Sequence, residues 1–316
     1  MNIKEKIRAA ERVLPVLERS MDRCRLCARR CGANRSRGEK GACGAAGEEP
    51  VVYSYSPHYG EEPPLSGDKG SGTIFFSHCG MKCVYCQNYR FSQEGAGREV
   101  AIGRLADMMM ELADGGCHNI NLVTPTHYAH MIVRALRIAW MRGLSVPVVY
   151  NTGGYDSMET IQLLEGLVDI YLPDMRYSSD EMARRYSGAP GYVSNNRLIV
   201  KEMYRQVGNL RLEKGVALKG LLIRLLVMPA DISGTLDTLD FIAGSIGTGA
   251  ALSVMSQYYP AYKAVREKEL ARRITPEEYR VVRERVDEHA FRNGWVQPQE
   301  GSFDGRFSGE RFDLNV

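Results

Sequence analysis

The stretch SHCGMKCVYCQNYRFS, residues 77–92, sets Cys79, Cys83 and Cys86 in one short span at the spacing Cys-x3-Cys-x2-Cys. Three thiols are one more than a disulfide needs and one fewer than a tetrahedral zinc site usually takes. They suit an iron–sulfur cluster with one iron left open, because thiolates are soft donors that select such clusters or zinc over hard cations. A zinc knuckle that borrows His78, or simply three reduced thiols, is the plainer reading.

A second group, Cys24, Cys27, Cys31 and Cys43, has the spacing C-x2-C-x3-C-x11-C. Four thiols make a complete protein-supplied set for zinc or for a second iron–sulfur cluster, a type of site that is more often structural or electron-carrying than catalytic. Arg23, Arg25, Arg29, Arg30, Arg35 and Arg37 interleave these cysteines and favour the thiolate form. They read either as a solvated basic face or as a patch for an acidic partner or substrate. Cys117 stands alone.

The chain has 316 residues, of which 44% are apolar and 25% charged, with a net charge of +3. That charge is too small to argue for nucleic acid or an anionic membrane. No stretch approaches the ~18 apolar residues of a membrane span, and the charged N-terminus lacks the apolar run of a signal peptide. A cytoplasmic location is therefore expected. In that reducing compartment, clustered cysteines point to metal rather than to disulfides.

The elements that must position these thiols alternate. Apolar runs at 72–77, 119–125, 146–153, 168–174, 220–229 and 251–258 are separated by segments of helical spacing, such as YAHMIVRALRIAWMRG. Nearly continuous apolar runs suit parallel strands buried on both faces. An open doubly wound sheet and a partial barrel both fit the count, and in either one ligands gather at the carboxyl ends of the strands. Residues 3–20 have helical spacing, with Pro15 weakening the last turn. Residues 44–70 read as connecting structure. Thr275, Pro276 and Glu278 predict a capped helix start, with Gly294 as its stop. The polar tail that follows reads as loosely held. The expected division is 1–66, an N-terminal helix and cysteine-rich metal-binding extension; 67–265, the strand-bearing body; and 266–316, a C-terminal helix and tail.

The Cys-x3-Cys-x2-Cys spacing with an aromatic, Tyr85, before the third cysteine resembles the signature of the radical S-adenosylmethionine (SAM) superfamily. CVYCQNYRFS, NINLVTPTHY, YNTGGY, YLPDMRY, RLLVMP and MSQYYPAY are similar to the branch related to pyruvate formate-lyase activating enzymes, in particular its uncharacterised iron–sulfur members. The resemblance covers about residues 20–265. It implies an α/β fold, a partial (β/α)6 TIM-like barrel, with a [4Fe-4S] cluster on Cys79, Cys83 and Cys86. SAM would bind the open iron and be cleaved reductively to a 5′-deoxyadenosyl radical that abstracts a hydrogen atom, an oxidoreductase chemistry. A flavodoxin or ferredoxin would supply the electron. The finer expectation is an activase of a glycyl-radical enzyme, with a protein or peptide as substrate. The rival class is a non-enzymatic iron–sulfur electron carrier or zinc-stabilised binding module.

Carried over residue by residue, the superfamily's Gly-Gly-Glu contact to the SAM amino group meets VTPTH here, which leaves Thr124 and Thr126 as candidates. His127 beside them is a candidate proton carrier or a structural hydrogen-bonder. NTGG resembles the Thr-Asn-Gly-like turn after the third strand, which would bring Asn151 and Thr152 to the cofactor. Asp174 and Arg176 match an Asp-x-Lys pattern, with an Asp–Arg surface pair as the plain alternative. Arg224, inside an apolar run, is expected to face the barrel interior or a ligand carboxylate. Gln257 and Tyr258 close the sixth run, with packing the expected role of Tyr258.

Overall fold

The computed structural model describes residues 2–298 and 310–311. Eight of the eleven strands among the described residues form the body of the sheet: β1 (Val51–His58), β2 (Ser71–Phe76), β3 (Ile120–Val123), β4 (Val148–Thr152), β5 (Ile170–Pro173), β6 (Val216–Leu226), β7 (Ala251–Met255) and β8 (Asn293–Val296). They lie side by side in that same order. From β2 to β8 every neighbouring pair is parallel, while β1 is antiparallel to β2.

Sequential order decides between the two sheet types left open by the strand count. A doubly wound sheet reverses its winding at a switch point; this one never does. It is wound in one direction, as an incomplete TIM-like barrel. Helices α2 (Ile102–Asp114), α3 (Ala129–Met141), α4 (Met158–Leu163), α5 (Asp180–Ser187), α6 (Tyr192–Val207) and α7 (Thr235–Ser245) are the crossovers.

Alternation along the strands separates two apolar layers. Ile74, Leu122, Tyr150, Tyr171, Ile223 and Leu252 face the helices in the main core. Val149, Ile170, Leu172, Leu222, Ala251 and Trp295 face inward, where Leu65, from the short helix Pro63–Ser66, packs among them. That helix corks the barrel from the connection preceding β2.

Two expectations are corrected. Residues 51–58 are not connecting structure but the antiparallel strand β1, whose outer side carries, among the described residues, only the two-residue strand Arg98–Glu99. Its largely half-exposed pattern gives no apolar run, and Pro57 is tolerated because the strand lies near a sheet edge. Residues 293–296 add a seventh parallel strand beyond the six apolar runs, too short to register as one. The N-terminal helix α1 (Ile3–Arg19) forms with an Asn2–Glu5 capping box and packs on α3. Helix α8 (Pro276–Glu288) starts with the expected Thr275–Glu278 capping box. Most of the tail read as loosely held lies outside the described residues. Among the described residues, no helix is long and apolar enough to cross a membrane.

Candidate active site

The cysteine loop leaves the carboxyl end of β2. His78 takes a left-handed turn (φ 71°), and its N–H bonds the Phe91 carbonyl at 2.8 Å. Lys82 and Val84 then donate to the carbonyls of Ser187 and Tyr186 at the end of α5, at 2.9 and 2.8 Å. Held this way, each thiol has one hydrogen-bonding neighbour. The Met81 N–H approaches Cys79 Sγ at 3.4 Å, Ser187 Oγ lies 3.0 Å from Cys83 Sγ, and Ser92 Oγ lies 3.1 Å from Cys86 Sγ. Burial, reinforced by the two neighbouring thiols, pushes Cys79 up to about 12. A positive centre that binds the Cys79 sulfur favours its thiolate against that shift.

Among the described residues, no three His, Cys, Asp or Glu side chains converge tightly enough to hold one metal ion. Three soft thiol donors on one loop are a donor set that fits an iron–sulfur group with one iron left open. His78 is turned away from a ligand role, its ring flanked by Gly44 and Gly95.

A small pocket opens beside Cys79, Gly80 and Met81. Thr124, Thr126 and His127 after β3, Thr152 and Gly153 at the end of β4, and Cys27 and Tyr155 also line it. The structure thus brings together Cys79, Thr124, Thr126 and Thr152, as candidates from separate parts of the chain. Behind them is a residue that sequence reading missed. Asp156, fully buried, accepts hydroxyls from Thr126 (2.6 Å), Thr152 (2.7 Å) and Tyr150 (2.9 Å). Burial pushes this carboxyl up, and the hydroxyl donors oppose the shift.

Gly154 makes the turn possible. At φ +73°, a Cβ there would stand 2.1 Å from Asn196 Nδ2 and 2.4 Å from the Asp174 carbonyl.

Asn151, Asp174 and Arg176 belong to an inward-facing polar group rather than to the cavity wall. Arg224 donates from Nε to Asp174 Oδ1 at 2.8 Å and to Asn151 Oδ1 at 2.5 Å, and stands 3.7 Å from Glu61 Oε2. Asp174 Oδ2 also accepts from Arg176. The expected Asp–Arg pair exists, but it is interior, with the Asp174 side chain 8% exposed. Arg176 Nε has no partner, and its charge bears on the cysteine trio. Glu61 and Glu62 went unnoticed in the sequence because neither lies in a periodic segment. Burial, only partly offset by Arg224, pushes Glu62 up to about 7.

Tyr85 and Tyr258 land away from the pocket, whereas His127 lines it. Tyr85 points into a tyrosine cluster under the loop, edge-on to Tyr177 at 6.4 Å. His127 Nε2 donates to the Ser77 carbonyl at 2.8 Å, and burial pushes it down to about 3, so it is neutral and structural near pH 7. Tyr258 packs, its hydroxyl on the Leu270 carbonyl.

The second cysteine group abuts the first. Residues 26–28 pair with 155–157: Ala28 N–H bonds the Tyr155 carbonyl at 3.0 Å and Ser157 N–H the Leu26 carbonyl at 3.2 Å. Arg29 donates to the carbonyls of Gly80 and Gly188, and Lys82 to that of Cys43 at 3.2 Å. Cys24, Cys27 and Cys43 are buried and Cys31 is exposed. A Cβ on Gly41 would lie 3.3 Å from Cys43 Sγ and 3.6 Å from Cys31 Sγ. The uniform basic face is corrected as well: Arg35 is fully buried, donating to the His127 carbonyl and lying over the Tyr128 ring.

No protein-family model matches this chain. Among solved structures, Streptococcus suis SuiB bound to S-adenosylmethionine aligns with a TM-score of 0.50 at 12% identity, over 70% of this chain and 48% of that one. The FeFe-hydrogenase maturase HydG from Carboxydothermus hydrogenoformans aligns with a TM-score of 0.49 at 11% identity, over 71% and 52%. The chain spans about half the length of these structures; what it shares with SuiB is the fold. A sequence relative, the uncharacterized protein MJ0674 of Methanocaldococcus jannaschii, is 30% identical over 265 residues, 81% of this chain and 71% of that protein. The chain belongs to the family of that archaeal protein.

Proposed function

We propose that this chain is a radical SAM enzyme. The observation that carries the reading is the thiol trio at the carboxyl end of the first parallel strand of a singly wound barrel, each sulfur with its own hydrogen-bonding neighbour and Cys79 lining a pocket shared with Thr126 and Thr152. Cys79, Cys83 and Cys86 would hold a [4Fe-4S] cluster. When bound, that group supplies the one-electron reductive cleavage of SAM to methionine and a 5′-deoxyadenosyl radical.

The chain's own residues bind and orient. Thr126 and Thr152 direct their protons to Asp156, and Thr152 also accepts from the Gly154 N–H, so the lone pairs left on the two hydroxyls, one of them on Thr152, are what an ammonium group would meet. Arg176, with a free Nε, is the nearby cation for a carboxylate. The strap 26–28 and Tyr155 cover the cavity and limit water.

The finer reading, an activating enzyme that draws its electron from a flavodoxin or ferredoxin and acts on a protein or peptide, rests on the motif resemblance alone. Cys24, Cys27, Cys31 and Cys43 are proposed as a second site, for zinc or an iron–sulfur cluster; their confinement to one segment stapled onto the first loop supports it.

The test is anaerobic reconstitution with iron and sulfide, then dithionite and SAM. Release of 5′-deoxyadenosine by the wild type and none by Cys83→Ala is expected. A fully loaded protein that releases none would overturn the reading in favour of an electron carrier.

A further inference from the structure

Two of the three sulfurs are approached by a serine hydroxyl, and each of those serines touches a second polar group. Ser187 Oγ lies 3.0 Å from Cys83 Sγ and 2.6 Å from the Tyr177 hydroxyl. Ser92 Oγ lies 3.1 Å from Cys86 Sγ and 3.2 Å from Gln93 Nε2, whose amide also reaches the Met81 carbonyl at 3.3 Å.

Proton counting fixes the direction of both chains. A serine hydroxyl has one proton, and a metal-bound thiolate can only accept. Gln93 Nε2 can only donate, so the Ser92 proton is left for Cys86. Tyr177 must likewise donate to Ser187 for the Ser187 proton to reach Cys83. Cys83, Ser187 and Tyr177 are all nearly excluded from water, at 5%, 0% and 2% exposure. A dipole aimed at sulfur in such a place acts at low dielectric, and a second donor behind it polarises the first.

We propose that Ser187 with Tyr177, and Ser92 with Gln93, are positioning residues that set the reduction potential of the cluster at the cysteine trio; the inference rests on the reading above. Reduction adds one electron, hence one negative charge shared with the thiolate sulfurs. Hydroxyl donors to those sulfurs stabilise the reduced state and raise the potential. Nothing local in the sequence joins Ser187 to Cys83: it comes from the end of α5, 104 residues away.

The experiment is a dithionite titration of the reconstituted protein, followed by electron paramagnetic resonance. Ser187→Ala and Ser92→Ala should each move the midpoint to a more negative potential. Ser187→Thr, which keeps the hydroxyl, should restore it. Tyr177→Phe, which leaves Ser187 in place, should give a smaller shift of the same sign. Unchanged midpoints in Ser92→Ala and Tyr177→Phe, with the cluster signal intact, overturn the inference while leaving the proposed function standing. Failure of the wild-type trio to assemble any cluster overturns both, so the two failures are distinguishable.

Discussion

Cys27 Sγ lies 3.5 Å from the point where a Cβ on Gly80 would sit, so the N-terminal cysteine segment rests directly on the backbone of the cluster loop. The approach is close enough that a Cβ at Gly80 would be in ordinary van der Waals contact with the sulfur. With the Arg29 and Lys82 contacts, it makes the two cysteine groups one structural unit. Removing a ligand from the outer group tests whether that unit holds two separate metal sites. Cys31→Ala, at an exposed position, should abolish the metal content of the N-terminal group and leave the iron at Cys79, Cys83 and Cys86. Iron and zinc analysis of anaerobically purified protein reads the difference. Retention of the full wild-type metal content would refute the second site.

Asp156 holds the hydroxyls of Thr126, Thr152 and Tyr150 in one orientation. In Asp156→Asn the amide would present a donor to those hydroxyls and release at least one proton toward the cavity. Affinity for SAM, measured by equilibrium dialysis on the reconstituted protein, should fall about tenfold or more, equivalent to ~1.4 kcal/mol. Stability should drop by about 1–3 kcal/mol as buried hydroxyls lose their acceptor. Unaltered SAM binding in a folded variant would remove these threonines from the ligand site.

Arg224 neutralises the interior carboxylates. Arg224→Met would leave Asp174 and Glu61 buried without that partner, at a cost of about 3–5 kcal/mol in unfolding free energy. Adding Asp174→Asn should recover part of the loss, because one uncompensated charge goes with it. Chemical denaturation of the two variants gives the comparison. Equal or greater loss in the double variant would contradict the pairing.

Acid should weaken the fold through two histidines. Burial holds His127 and His130 near pKa 3, against about 6.5 when unfolded. Between those values the unfolded chain binds protons that the folded chain does not. Stability is therefore fully present above about pH 6.5 and declines as pH falls toward 3, by at most about 1.4 kcal/mol per pH unit for each group. His130→Leu should show a shallower slope in that window than the wild type, as followed by urea unfolding at several pH values. An identical slope would show that His130 is solvated.

Much of the fold was legible because its signals are local. Six apolar runs became six parallel strands, Thr275 and Glu278 capped the helix they predicted, and the three cysteines announced their loop by spacing alone. The strands the sequence hid are those without an apolar run: β1, half-exposed along its length, and the four-residue β8.

The residues themselves determined which chemistry is available: soft sulfur donors in two groups, on the loop that ends a buried strand. Only the tertiary structure decided how those donors are served. Ser187 meets Cys83, Asp156 aligns Thr126 with Thr152, Glu61 and Asp174 share Arg224, and Cys27 lies on Gly80. The physical reason is that strand and helix periodicities repeat every two to four residues and can be read in any window. Hydrogen bonds and ion pairs between distant segments carry no period. They exist only because barrel winding brings successive strand ends to one rim.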